Sequence, residues 1–112
     1  MKTILIYSVD PGFLEEMRSK IQELETDRLS EILLFSEKEK LEFYAAGSRE
    51  AADVVIIDMD QEDDGIAIAE CVLEYQKNSQ IIFVSGSEEY YLDGYNVDHV
   101  DFLKKPVESR LL

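Results

Sequence analysis

The stretch that most constrains this chain is Asp53-Val54-Val55-Ile56-Ile57-Asp58, a short β-branched apolar run ending on a carboxylate. A strand apolar on alternate and intervening positions alike must bury both of its faces. Strands of that kind belong to parallel sheets covered by helices. Such sheets place their chemistry at the carboxyl ends of the strands, so Asp58 stands where a nucleophile, a phosphoacceptor or a metal ligand would stand. Acids follow at once, five in the seven residues from Asp58 to Asp64.

The rest of the chain alternates around that run. Thr3 to Tyr7 reads as a first strand, and Asp10-Pro11 as an N-cap followed by proline at the first helical position, where its missing N–H costs nothing. Leu14, Met17, Ile21 and Leu24 make the apolar stripe of a first helix. A second strand spans Glu31 to Phe35. Ser36 and Glu39 have capping-box spacing ahead of a short helix through Leu41, Tyr44 and Ala45 that stops at Gly47. The third strand is Asp53 to Ile57, and Gly65 to Tyr75 reads as a third helix. Ile81 to Val84 is a fourth strand ending at Ser85-Gly86, and Ser87 to Tyr95 a weak helix. Val100 to Leu103 is a fifth strand closed by Lys105-Pro106, and the tail from Val107 to Leu112 begins one more helix. This pattern predicts one α/β domain over residues 1–112, a (βα)₅ three-layer sandwich with a central five-stranded parallel sheet and a truncated last helix.

Charge narrows the function. With a formal charge of −14, the chain would be repelled by nucleic acid phosphates and anionic membranes, while a cation such as Mg²⁺ would be welcome. The single cysteine, Cys71, reads as a small apolar helix residue and fits a reducing cytoplasm. No apolar run approaches the roughly 18 residues of a membrane span, and the N-terminus has no basic-then-apolar leader.

Three strand ends converge on one edge of this sheet: Asp58, Ser85 and Lys105. A carboxylate can accept a phosphoryl group, a hydroxyl can hydrogen-bond one of its oxygens, and an ammonium can neutralise the charge that develops in transfer. Each alone has an ordinary structural role, as a turn former, a local backbone partner or a solvated charge. Their succession at three strand termini makes the pattern specific.

On these residues the chain resembles the response-regulator receiver domains (CheY-like, flavodoxin-like fold) of two-component signalling, from Lys2 to Val107. Asp53 to Asp58 resembles the phosphoacceptor strand, which implies that Asp58 is the phosphorylated aspartate. Ile81 to Gly86 is similar to the strand carrying the switch hydroxyl, here Ser85. Asp101 to Pro106 is similar to the strand that carries the family's lysine, here Lys105, and it puts Phe102 at the aromatic switch position. Gly94 to Leu103 resembles the same segment in receivers that precede LytTR-type DNA-binding domains. The resemblance implies a non-enzymatic, cytoplasmic signalling domain whose partner is a sensor histidine kinase. It implies a transcriptional output domain outside this chain as the only route to DNA, while the tyrosines of the fourth helix would suit a homodimer or effector face there and on the fifth strand.

One departure stands out. Receivers carry two adjacent acids after the first strand to hold Mg²⁺, and here Ser8 and Val9 occupy those positions, with only Asp10 following. The expectation is weakened or lost Mg²⁺ binding, with Asp10, Asp58 and Asp60 as the remaining ligand set, and a phosphorylation-independent receiver as the alternative function. The acidic loop reads as a solvated turn whose last acid, Asp64, caps the third helix; the competing reading turns Asp60, Glu62 or Asp63 inward as metal ligands. His99 reads as a surface histidine, and Tyr90, Tyr91 and Tyr95 as packing or an interface on the weak helix. Asp58-Met59-Asp60 also resembles the nucleophile and general acid of haloacid-dehalogenase-type phosphatases, but the following motifs and a cap domain are absent from the sequence. Flavin binding is disfavoured, because Ser8 to Gly12 lacks a hydroxyl-rich phosphate loop.

Overall fold

Alternation of strand and helix in the sequence becomes alternation across a sheet. The structure, a computed structural model, describes residues 2–24, 30–47, 52–60, 65–76, 78–86 and 100–105. Its elements in chain order are β1 (Lys2–Tyr7), α1 (Pro11–Leu24), β2 (Ser30–Phe35), α2 (Lys38–Gly47), β3 (Val54–Asp58), α3 (Gly65–Tyr75), β4 (Gln80–Ser85) and β5 (Val100–Lys104). The five strands form one sheet in the order β2-β1-β3-β4-β5, every pair parallel. Because β1 lies between β2 and β3, the chain reverses its direction of travel across the sheet there, which opens a crevice at the strands' carboxyl ends.

The two-residue period of the strands sorts their side chains into two cores. Leu5, Tyr7, Val55, Ile57, Ile81 and Phe83 pack on one face against Leu41 and Ala45 of α2 and Ile68, Ala69 and Val72 of α3. Ile4, Ile6, Ile56 and Val84 point the other way, against Phe13, Leu14, Met17 and Ile21 of α1. β3 is therefore buried on both faces, as its unbroken apolar run requires: Val55, Ile56 and Ile57 are each 2 % exposed or less.

Several boundaries differ from the sequence reading by one residue: β1 begins at Lys2, β2 at Ser30, and β4 spans Gln80–Ser85. β3 runs to Asp58 itself, which pairs with Val84, because β4 extends far enough to meet it. Asp53 instead closes the opposite end, its carboxylate accepting the Thr3 N–H at 2.8 Å. α2 begins at Lys38, later than a cap at Ser36 would place it. β5 reaches Lys104. The segments expected to form a fourth helix and a final helix lie outside the described residues, as do Glu62, Asp63, Asp64, Tyr90, Tyr91, Tyr95 and His99.

The start of α3 shows why glycine is needed at one position. A Cβ on Gly65 would come within 2.2 Å of the Met59 sulfur and 3.2 Å of the Ile57 side chain. The bare backbone lets the helix begin directly against the end of β3, which fixes Met59, buried between Asp58 and Asp60.

Candidate functional site

Asp58, Ser85 and Lys105 meet at the carboxyl edge, as their places at adjoining strand ends require. The Lys105 Nζ donates to Asp58 Oδ1 at 2.8 Å, and its backbone N–H donates to the Ser85 carbonyl at 3.0 Å, tying the end of β5 to β4. The Asp58 side chain is 0 % exposed and that of Lys105 23 %. A wholly buried carboxylate persists only when donors surround it. Asp58 has three: the Lys105 ammonium and the Asp60 N–H on Oδ1, and the Ser8 hydroxyl on Oδ2 at 2.7 Å.

Ser8, which in the sequence marks a missing acid, has bonds of its own. Its Oγ bonds Asp58 and also accepts the Asp10 N–H at 3.0 Å, so it links the end of β1 to the end of β3. A serine directly after an apolar strand, facing a strand-end aspartate on the neighbouring strand, is the signal that could have revealed this.

Asp60 is exposed as a residue, yet its carboxylate turns toward the cluster. Its carboxylate accepts Ser85 Oγ at 2.6 Å on Oδ1 and the Gly86 N–H at 2.9 Å on Oδ2, and Lys105 Nζ lies 3.0 Å from Oδ2. Burial pushes its pKa up, but the Ser85 hydroxyl, the Gly86 amide and the Lys105 ammonium outweigh that and hold it below the usual carboxylate range. Lys105 answers in kind: burial pulls it down, while hydrogen bonds and charge from Asp58 and Asp60 carry it above its ordinary value. A carboxyl held ionised makes a poor general acid, which counts against the phosphatase-like role for Asp60.

Asp10 stands apart. Its Oδ1 accepts the Gly12 N–H at 2.9 Å at the start of α1, where the helix dipole favours negative charge. The set Asp10, Asp58 and Asp60 is therefore not assembled as metal ligands, and among the described residues no group of three His, Cys, Asp or Glu side chains is placed to hold a metal ion. Mg²⁺ demands near-octahedral oxygens at close range. Here an ammonium lies between Asp58 Oδ1 and Asp60 Oδ2 while a hydroxyl holds Asp58 Oδ2, so the residues do not fit that ion in this arrangement.

Two further side chains border the cluster. Lys105 Nζ sits 4.6 Å from the centroid of the Phe13 ring, a cation–π contact that ties the site to α1. Phe102, half-buried on β5, packs its ring 5.6 Å from that of Phe83 at 46°, so it joins the α2/α3 core beside the site. Cys71 is partly buried on α3; burial and the nearby Glu42 and Glu74 push its thiol up, away from reactivity. Among the described residues no helix is long and apolar enough to cross a membrane.

Comparison with known proteins places the architecture. No family model matches the chain and no curated protein does, whereas many solved structures share its fold. A response regulator receiver protein from Sinorhizobium medicae WSM419 superposes with a TM-score of 0.79 at 23% identity, covering 98% of this chain and 86% of that one. Vibrio cholerae chemotaxis protein CheY4 gives 0.80 at 18% identity, covering 98% and 91%. A response regulator receiver domain protein from Clostridium thermocellum gives 0.78 at 19%, covering 98% and 86%. The chain thus has the CheY-like receiver fold, a five-stranded parallel sheet between helices.

Proposed function

We propose that this receiver-fold domain is a two-component signalling module in which Asp58 accepts a phosphoryl group from a sensor histidine kinase. The observation that carries the reading is the Lys105 ammonium 2.8 Å from the Asp58 carboxylate, with Ser85 on the adjoining strand end. One Asp58 oxygen attacks phosphorus, the O–P bond forms, and the P–N bond to the donor's histidine breaks, with the nitrogen keeping the electron pair. Lys105 meets the charge that gathers on the phosphoryl oxygens, and Ser85 supplies a hydroxyl to one of them. The added charge acts as a switch only if Ser85 and Lys105 meet it better in one of two arrangements, and Phe102, on the strand that leads into Lys105, is the residue we assign to report the change. Transcriptional output through a domain outside this chain is the downstream reading that accompanies it, and the negative charge of this domain supports assigning DNA contact to that other domain.

A second reading is favoured by a specific observation: the Asp58 side chain is fully buried beneath Ser8, Asp60 and Lys105. A domain that keeps this arrangement would signal through protein contacts without phosphorylation. Intact mass after incubation with a small-molecule phosphodonor, with and without Mg²⁺, separates the two. One added phosphoryl group, lost in Asp58→Asn, supports the first reading; folded protein whose mass stays unchanged with several donors supports the second.

A further inference from the structure

Three donors from two parts of the chain converge beside Asp58. The Ser85 hydroxyl ends β4, the Gly86 amide opens the loop after it, and the Lys105 ammonium follows β5. A hydroxyl, a backbone N–H and an ammonium aimed at one small volume suit a compact oxyanion of the phosphate class. That volume already holds an anion, the Asp60 carboxylate, at 2.6 Å, 2.9 Å and 3.0 Å from the three donors. The side chain is delivered by its own backbone, since the Asp60 N–H is bonded to Asp58 Oδ1 at 3.0 Å. The two acids thus divide the edge: Asp58 lies under the ammonium, and Asp60 lies between the ammonium and the β4 loop.

We propose that Asp60 is a tethered occupant of an oxyanion cradle made by Ser85, Gly86 and Lys105, and that it must swing out before a phosphate-class group can be seated there. The choice of anion rests on the reading of this edge as a phosphoryl-handling site, but the occupancy does not require Asp58 to be phosphorylated. Two consequences follow from the geometry. In the resting domain Ser85 and Lys105 are drawn together by a carboxylate instead of by an added group. Removing that carboxylate vacates three donors at once and relieves the like-charge repulsion an incoming anion would meet.

The test is titration of inorganic phosphate, followed by calorimetry and by the Gly86 amide signal. It uses the parent, Asp60→Gly, and the pair Asp58→Asn and Asp58→Asn/Asp60→Gly, all shown to be folded by circular dichroism. The pair removes both phosphorylation and the Asp58 charge from the comparison. Asp60→Gly is expected to acquire saturable phosphate binding at least about tenfold tighter than its parent in either background, a factor equal to about 1.4 kcal/mol. Adding Ser85→Ala should weaken that binding again. Equal affinity with and without Asp60, or no binding by any folded variant, overturns the proposal and leaves Asp60 as a turn-stabilising residue. Phosphate binding in Asp60→Gly together with an Asp58 that no donor labels would sink the phosphoacceptor reading and leave the occupancy standing. Labelled Asp58 with unchanged phosphate affinity would do the reverse.

Discussion

The two ends of this sheet both carry buried polar side chains, and they use them differently. At the amino end, Gln76 Oε1 accepts the Ala52 N–H at 2.8 Å and Ser79 Oγ donates to the Ala52 carbonyl at 2.6 Å, while Asp53 takes the Thr3 N–H. Those bonds run from side chain to backbone and close loops whose own groups would otherwise be buried without partners. At the carboxyl end, Ser8, Asp58, Asp60, Ser85 and Lys105 bond chiefly to one another, with two carboxylates sharing one ammonium. The first arrangement is satisfied once the chain is folded. The second leaves one negative charge in excess, and its geometry depends on the charge its members carry.

That contrast can be broken most severely at Lys105. Lys105→Met leaves the buried Asp58 and its neighbour Asp60 without their shared cation, and urea unfolding near neutrality should show a loss on the order of 3 kcal/mol. At the other end, Gln76→Ala strands the buried Ala52 N–H. A loss of about 2 kcal/mol is expected in the same assay, with phosphodonor labelling unaltered. Should Gln76→Ala change labelling as much as Lys105→Met, the division between the two ends would fail.

Beside the carboxyl end lies the joint at Gly65. Gly65→Ala forces the Met59 thioether aside in a filled core, and thermal unfolding should report a loss of about 1 to 2 kcal/mol. Ser8→Ala removes one bond to a carboxylate that keeps two others, so its cost should be about 1 kcal/mol by urea unfolding.

The pH dependence sharpens the comparison further. Asp60 titrates below its unfolded value, so its contribution is present above the ordinary carboxylate range and is lost as pH falls through the folded value. Lys105 titrates above its unfolded value, so its contribution is present below the ordinary lysine range and is lost as pH rises through the folded one. The stability difference between the parent and Lys105→Met should therefore be flat around neutrality and shrink toward both extremes, whereas that of Gln76→Ala should not vary. Unfolding curves across the pH range check both statements.

Much of this could be read from the sequence, and the rest could not for physical reasons. Strands announce themselves through apolar runs, and a parallel sheet brings their ends to one edge, so Asp58, Ser85 and Lys105 were legible together. Their partners were not. Whether Asp60 faces water or the ammonium depends on where β4 and β5 end in space, and local charge density pointed to water. The part played by Ser8 is hidden because a missing carboxylate shows in the sequence, whereas the partner of a hydroxyl shows only in space. Asp10 is ambiguous in the sequence because the same residue that follows a strand also precedes a helix, where its carboxylate accepts the Gly12 N–H.

The most direct test of the account is the amide spectrum of the isotopically labelled domain before and after treatment with a phosphodonor, with Asp58→Asn alongside. The account predicts shifts at residues 8–10, 58–60, 85–86 and 101–105, while Ala52, Gln76 and Ser79 stay in place and Asp58→Asn shows no change. Shifts spread evenly over both ends of the sheet, or phosphoryl addition that leaves Gly86 and Lys105 unmoved, would contradict it.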